Sequence, residues 1–286
     1  MKIRRIVLCR AERGTTLIIT ASSNPRIRKL RELMRRGCAD SLHRVYIEGI
    51  KLVQEALKSR LEVEEIYVAE SKIQEGSVRG ILQKAERSSP EVVLVADRIF
   101  KILADTETPQ GIVALVKLPQ FQLGDVIRDS PLVLIAHQLQ DPGNLGTLVR
   151  SAEAFGVSAV LLTQNTVSFL NPKAVRASAG SLFRIPILSG FKLNGLLESL
   201  REHGFKMIAA SPHGDRDFRD VDYRGATALF IGNEGRGLTS DILDKVDLKV
   251  KIPLAMTVES LNVAIASSII LCEVARQRGT GSSIRG

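Results

Sequence analysis

The sequence predicts an α/β protein in two domains, and three observations carry that prediction. Apolar runs alternate with helical periodicity in two successive series. Residues 119–131 (PQFQLGDVIRDSP) interrupt them with two prolines and no long apolar run, the composition of a linker. The apolar runs of the second series hardly alternate with polar residues, as expected of parallel strands buried on both faces. A length of 286 residues suits one large domain or two small ones, and 44% hydrophobic against 25% charged residues is a globular composition.

The first series, 21–118, reads as a small α/β/α sandwich, preceded by a basic extension over 1–20. Asn24 and Pro25 have the residue types of an N-cap and first helical position. Ile27, Leu30, Leu33 and Met34 form the apolar stripe of the helix that follows, and Gly37 ends it. Arg26, Arg28, Lys29, Arg31, Arg35 and Arg36 lie off that stripe and face water or a partner. Val45-Tyr46-Ile47 and Glu48-Gly49 precede a second helix carrying Leu52, Val53, Ala56 and Leu57. Apolar runs at 65–69, 92–96 and 112–118 alternate with helical stretches at 72–87 and 97–104.

The second series, 132–278, restarts with strands at 132–137, 157–163, 206–211, 227–232 and 248–253. Helices are expected near 144–155, 172–180 and 260–277, with a further segment at 193–203. The Gly/Ser/Arg-rich tail 279–286 is expected to fray.

Charge is distributed unevenly. Residues 1–60 hold 15 basic and 5 acidic residues, whereas 61–286 hold 25 and 26. The positive excess sits in the first fifth of the chain and suggests an anionic partner there, most simply nucleic acid; a solubilising surface is the rival. The chain has no Trp and 4% aromatic residues, which argues against a stacking surface for bases. Cys9, Cys38 and Cys272 are widely spaced, and the four histidines form no cluster with them, so neither a disulfide framework nor a metal site is expected. No uncharged stretch near the C-terminus reaches the ~18 residues of a membrane span, and residues 1–13 lack a secretory apolar core. A cytoplasmic protein is expected.

Four segments of the second series stand out. Asp141–Gly156 follows a buried strand and opens a helix, placing Asn144 and Arg150 near a strand end, where α/β sheets bind ligands. The bland reading makes Asn144 a helix cap and pairs Arg150 with Glu153. Asn171–Ile187 carries Lys173, Arg176 and the small run 178–181, suited to close approach of a polyanion. Ala228–Leu238 runs a strand into a loop with Gly232, Gly235 and Gly237, which permits close backbone approach. It is no P-loop, because Leu238 stands where Lys is required. Ile252–Ala264 ends a strand, crosses a loop and begins an apolar helix. Ser260 or Glu259 suits its cap. Asn262, a poor helix former, reads either as a site residue or as a satisfied core Asn.

Together, D-P-x-N-x-G…R…A…F-G (141–156), G-x-E-x-x-G-L (232–238) and I-P-L…S-L-N-V (252–263) resemble the three ordered motifs of the SpoU (TrmH-like) branch of the SPOUT methyltransferases. The first hundred residues are similar to the substrate-binding domain of rRNA-modifying members, through Ile19-Thr20, Asn24-Pro25, Lys29-Leu30 and Ile47-Glu48-Gly49.

That resemblance implies a C-terminal trefoil-knotted SPOUT domain, an exception to the rule against knots, preceded by a small α/β/α RNA-binding domain. It implies S-adenosylmethionine as cofactor and a homodimer formed through the C-terminal domain. It also implies methylation of a ribose 2′-hydroxyl, most simply in rRNA; a tRNA substrate and a non-catalytic RNA binder are the alternatives. The cofactor positions would be Ala210, Ser211, Gly232, Asn233, Gly237, Ile252, Leu254 and Leu261. Asn144, Arg150, Glu234, Ser260 and Asn262 match the catalytic polar positions. Lys173 and Arg176 would join the six basic residues of the first helix in holding RNA. The family proposal makes the arginine at Arg150 a base; its pKa above ~12 favours a phosphate and alkoxide clamp instead. One departure is Met256, where such families often have Gly: its side chain either narrows the adenine pocket or turns outward.

Overall fold

A computed structural model describes residues 18–37, 39–59, 61–85, 89–127 and 131–279. Cys9, Cys38, most of the basic extension and residues 280–286 lie outside them. The chain forms two compact units, one of residues 1–120 with 168–183, the other of 121–167 with 184–286.

The first unit begins with a two-residue strand inside the stretch read as an extension, β1 (Ile18–Ile19). Helix α1 (Pro25–Arg36) follows. It starts where expected because the Asn24 side chain accepts the Arg26 N–H at 2.9 Å and Pro25 needs no partner. It stops because Gly37 adopts φ 54°, returning its N–H to Leu33 O. Then come β2 (Arg44–Glu48), α2 (Ile50–Lys58), β3 (Glu62–Ala69), α3 (Gly76–Ala85), β4 (Glu91–Val95), the single turn α4 (Asp97–Phe100) and β5 (Ile112–Lys117). The sheet order is β1-β4-β3-β5-β2; β1, β4 and β3 run parallel, and β5 is antiparallel to β3 and β2. Ile27, Leu30 and Leu33 of α1 are buried against Tyr46, Tyr67, Val93, Val95 and Leu115. Buried Glu48 accepts from Tyr46 Oη (3.2 Å), Asp105 N (2.8 Å) and Thr106 Oγ1 (2.5 Å), which satisfies its charge and fixes the 103–106 turn.

The second unit starts inside the expected linker with the turn α5 (Leu123–Val126), whose Val126 is buried in that unit's core. It continues with β6 (Leu132–Ala136), α6 (Pro142–Ala154) and β7 (Ala159–Thr163). The segment after β7, including α7 (Pro172–Ala177), groups with the first unit. The chain returns through β8 (Ile187–Phe191), α8 (Leu193–Glu202), β9 (Lys206–Ala210), β10 (Arg216–Asp217), β11 (Thr227–Ile231), the turn α9 (Ser240–Leu243), β12 (Leu248–Lys251) and α10 (Val263–Arg278).

All seven strands are parallel, in the order β10-β12-β9-β11-β6-β7-β8. Every residue of β6, β7 and β11 is buried, which is why their sequences do not alternate. Strands β1, β8 and β10 were not foreseen. Two of them are two residues long, and β8 (ILSGF) carries Ser-Gly where an apolar run would have marked it.

The strand order places a switch point at the centre of this sheet. From β6 the chain moves outward to β7 and β8; from its neighbour β11 it moves the opposite way, to β12. The loops leaving β6 and β11 diverge and open a crevice at their C-terminal ends, the place where such sheets bind ligands.

Candidate functional site

Three loops meet at that crevice. The loop after β6 carries His137–Asp141, the loop after β11 carries Gly232–Leu238, and the chain after β12 runs from Ile252 to the start of α10. Glu234 ties the first two together. Its Oε2 accepts the Gln140 N–H at 3.1 Å, and its Oε1 accepts the Asp141 N–H at 3.0 Å and Asn144 Nδ2 at 3.2 Å. Asn144 Oδ1 in turn accepts Asn262 Nδ2 at 2.9 Å, bringing in the third segment. Three residues whose bonded pairs are 90 and 118 positions apart in sequence thus form one chain of hydrogen bonds. Burial alone would raise the Glu234 pKa; the N–H groups of Glu234 and Asp141, the Asn144 amide and the Gln140 N–H outweigh it and hold the carboxyl below its usual range. Glu234 is therefore an anionic brace with its lone pairs engaged, a poor proton acceptor.

Two capping expectations change. The cap of α6 is Asp141, whose carboxylate accepts the Asn144 N–H at 2.8 Å, so the Asn144 side chain is left for the network. The cap of α10 is Asn262 rather than Ser260 or Glu259: its Oδ1 accepts Ala264 N and Ile265 N, and its Nδ2 reaches Asn144. An asparagine does both because its amide offers an acceptor and a donor. It is exposed rather than a core residue.

Arg150 lies on α6, six residues beyond Asn144, and is exposed. It does not pair with Glu153. Glu153 is taken by Arg184, and among the described residues the Arg150 side chain has no ion-pair or hydrogen-bond partner. Ser260 is likewise exposed and makes no hydrogen bond within the chain.

Residues 131–272 match the family model described as the SpoU rRNA Methylase family, and residues 24–114 match the MRM3-like substrate binding domain. The 23S rRNA (guanosine(2553)-2′-O)-methyltransferase RlmP of Bacillus subtilis is 32% identical over 254 residues, which is 88% of this chain and 97% of that one. The chain belongs to the SpoU rRNA methylase family. Among solved structures it is similar to the SpoU methyltransferase AviRb of Streptomyces viridochromogenes in complex with AdoMet (TM-score 0.78, 27% identity, 90% of this chain and 99% of that one). It is also similar to an AdoMet-bound rRNA methyltransferase of Sinorhizobium meliloti (TM-score 0.78, 28% identity, 91% and 97%).

The SpoU cofactor positions can be tested against the backbone. Ala210 and Ser211 end β9, Gly232 and Asn233 follow β11, and Ile252 and Leu254 follow β12, so they come from three adjacent strand ends. The N–H and C=O groups of Gly232, Ile252 and Leu261 make no hydrogen bond within the chain among the described residues. Gly232 is buried, where an unpaired peptide group is unfavourable unless a ligand completes it. An adenosine moiety, with polar edges and an apolar ring, fits such a ring of free peptide groups. Met256 is fully exposed (105%), so its side chain turns outward.

Gly232 has a second reason to be glycine. A Cβ there would overlap the backbone of Gly237 and Leu238, where Asn233 and Gly237 pair backbone to backbone. Gly214 is similar: a Cβ would strike the backbone of Val250 and Lys251. Sequence reasoning missed Gly214, because an isolated glycine carries no sign of what passes beside it.

Sequence reasoning also missed His137. It is 3% exposed at the end of β6, with Nδ1 3.1 Å from Thr163 Oγ1. The Thr163 hydroxyl donates to Gln164 O, so it accepts from Nδ1–H and leaves Nε2 as a buried acceptor without a partner. Burial lowers the His137 pKa and keeps the ring neutral. Next to it, Gln138 (φ 54°) offers its carbonyl to Asn233 Nδ2 at 2.8 Å, a further tie between the loops.

The basic residues expected to hold RNA all lie in the first unit. Arg26 pairs with Glu91 (2.8 Å), Lys29 with Asp40 (3.1 Å), Arg36 with Glu32 (2.8 Å) and Arg176 with Asp105 (2.7 Å). Lys173 sits in the first turn of α7. Arg28, Arg31 and Arg35 have no ion-pair partner among the described residues. Also among the described residues, no three His, Cys, Asp or Glu side chains converge to hold a metal, and no helix is long and apolar enough to cross a membrane.

Proposed function

We propose that this chain transfers a methyl group from S-adenosylmethionine to a ribose 2′-hydroxyl of ribosomal RNA. The observation that carries this reading is the hydrogen-bonded chain Glu234–Asn144–Asn262 at a sheet switch point, with Asn144 on the same helix as the exposed Arg150 and with free peptide groups at Gly232, Ile252 and Leu261. Family membership and the named activity of relatives such as RlmP support it.

When bound, S-adenosylmethionine supplies an electrophilic methyl on a sulfonium. Gly232, Ile252 and Leu261 would hold its adenosine through backbone groups, with Ala210, Ser211, Asn233, Gly237 and Leu254 lining the same wall. Arg150 holds the phosphate beside the target ribose and stabilises charge that develops on the 2′-oxygen. Its planar fork suits both tasks, and a fixed positive charge matters most as the alkoxide forms. Glu234 and Asn144 keep the α6 entrance rigid, so Arg150 projects from a fixed base. Ser260 and Asn262 face the ribose from the third loop.

The loops over 232–238 and 252–261 are read as the crossing segments of a trefoil knot. The exposed apolar side chains Met256, Val258 and Ile265 support a homodimer through this unit, since exposed apolar surface favours a partner.

The test is calorimetric titration with S-adenosylmethionine, followed by mapping of 2′-O-methyl groups in rRNA from cells lacking the gene. Cofactor binding and loss of one ribose methylation are expected. A protein that binds no cofactor and whose loss leaves every rRNA methylation in place would refute the reading.

A further inference from the structure

The six basic residues of α1 are not equivalent. Three are neutralised: Arg26 by Glu91, Lys29 by Asp40 and Arg36 by Glu32, the only acidic residue of the helix. The other three, Arg28, Arg31 and Arg35, have no ion-pair partner among the described residues. At about 100° per residue they fall within about 60° of arc and span about 10 Å of helix axis. That arc lies away from Ile27, Leu30 and Leu33, which are buried at 0–6% exposure.

Like charges at such spacing weaken a helix. Glu32 stands four residues from Arg28 and three from Arg35, yet its carboxylate pairs with Arg36, and no described acid pairs with Arg28, Arg31 or Arg35. A partner that supplies the missing negative charge accounts for the pattern.

We propose that Arg28, Arg31 and Arg35 form a phosphodiester-binding face for RNA, while Arg26, Lys29 and Arg36 brace the helix. The proposal rests on the RNA methyltransferase reading and adds which residues meet the backbone. Arginine forks suit phosphate oxygens. A lipid surface fits less well, because the apolar side of α1 is already buried in the core and has nothing to insert.

The experiment measures affinity of the full chain for a transcribed stem–loop RNA across a salt series. Each phosphate contact contributes about 0.7–0.9 to the slope of log K against log salt. Changing Arg28→Gln, Arg31→Gln and Arg35→Gln together should lower that slope by about 2 to 3 without altering the melting curve. Arg26→Gln, Lys29→Gln and Arg36→Gln together should lower the melting temperature and move the slope by less than about 1. If the first triple fails to fold, each single change should still remove about one phosphate's worth of slope. Equal slopes for wild type and the first triple, equal shifts for both triples, or tighter binding to phosphatidylserine vesicles than to RNA would overturn the proposal. A wild-type chain that binds no RNA would overturn it together with the methyltransferase reading. RNA binding with an unchanged triple would overturn this proposal alone.

Discussion

The crevice of the second unit and helix α1 of the first use polar side chains in opposite ways. At the crevice, Glu234, Asn144, Asn262 and Asp141 are hydrogen-bonded to one another or to backbone, and on α6 the Arg150 side chain has no partner among the described residues. On α1, beside three paired cations, Arg28, Arg31 and Arg35 have no ion-pair partner among the described residues. The first arrangement suits chemistry, which needs a few groups held at fixed positions. The second suits attraction to a polyanion, which tolerates side-chain motion and grows with the number of charges.

The comparison predicts that changes at the crevice act on rate and changes on α1 act on affinity. The largest effect is expected for Arg150→Ala. It should lower the single-turnover methylation rate by about 10²-fold or more, as for a removed charge-stabilising donor, with cofactor affinity and melting temperature near wild type. Arg150→Lys should recover little, because an ammonium lacks the fork. A near-normal rate for Arg150→Ala would dissolve the contrast.

Gly232→Val comes next. The added side chain meets the Gly237–Leu238 backbone, so stability should fall by about 1–3 kcal/mol as for an overpacked core. Cofactor binding should fall with it, read by denaturant melts and calorimetry on the same sample. Loss of binding at full stability would show that the ligand alone requires the glycine.

Asp141→Ala removes the α6 cap and should lower stability by about 1 kcal/mol. The methylation rate should drop further than that stability loss explains, because the loop carrying Gln140 and Asn144 loosens. A rate unchanged at a temperature where the variant is fully folded would argue against rigidity as the source of catalysis.

The smallest effect concerns His137. Its folded pKa lies below the 6.5 of a free imidazole, so the unfolded chain binds more protons in the interval between the two values. Its contribution is therefore present above about pH 6.5 and is lost as pH falls toward the folded pKa. His137→Phe should flatten the stability profile over that interval. Identical slopes in both proteins would mean that the ring is not held neutral by burial.

The amino-acid sequence by itself determined most of the local structure. The Asn24-Pro25 start and Gly37 stop of α1 follow from side-chain chemistry within a few residues. The unalternating strands β6, β7 and β11 announced a sheet buried on both faces. The motifs around Asn144, Glu234 and Asn262 marked a candidate site through resemblance, but not how these residues bond to one another. Tertiary structure decided that Asp141 and Asn262 are the caps, and that Glu234 is a brace rather than a base. It also decided that Arg150 is free because Arg184 claims Glu153, and that Gly214 and Gly232 are glycines because another stretch of backbone lies against them. The physical reason is range. Caps and periodicity are settled within one turn of chain, whereas a hydrogen bond between residues 90 or 118 positions apart exists only after the sheet has ordered its strands.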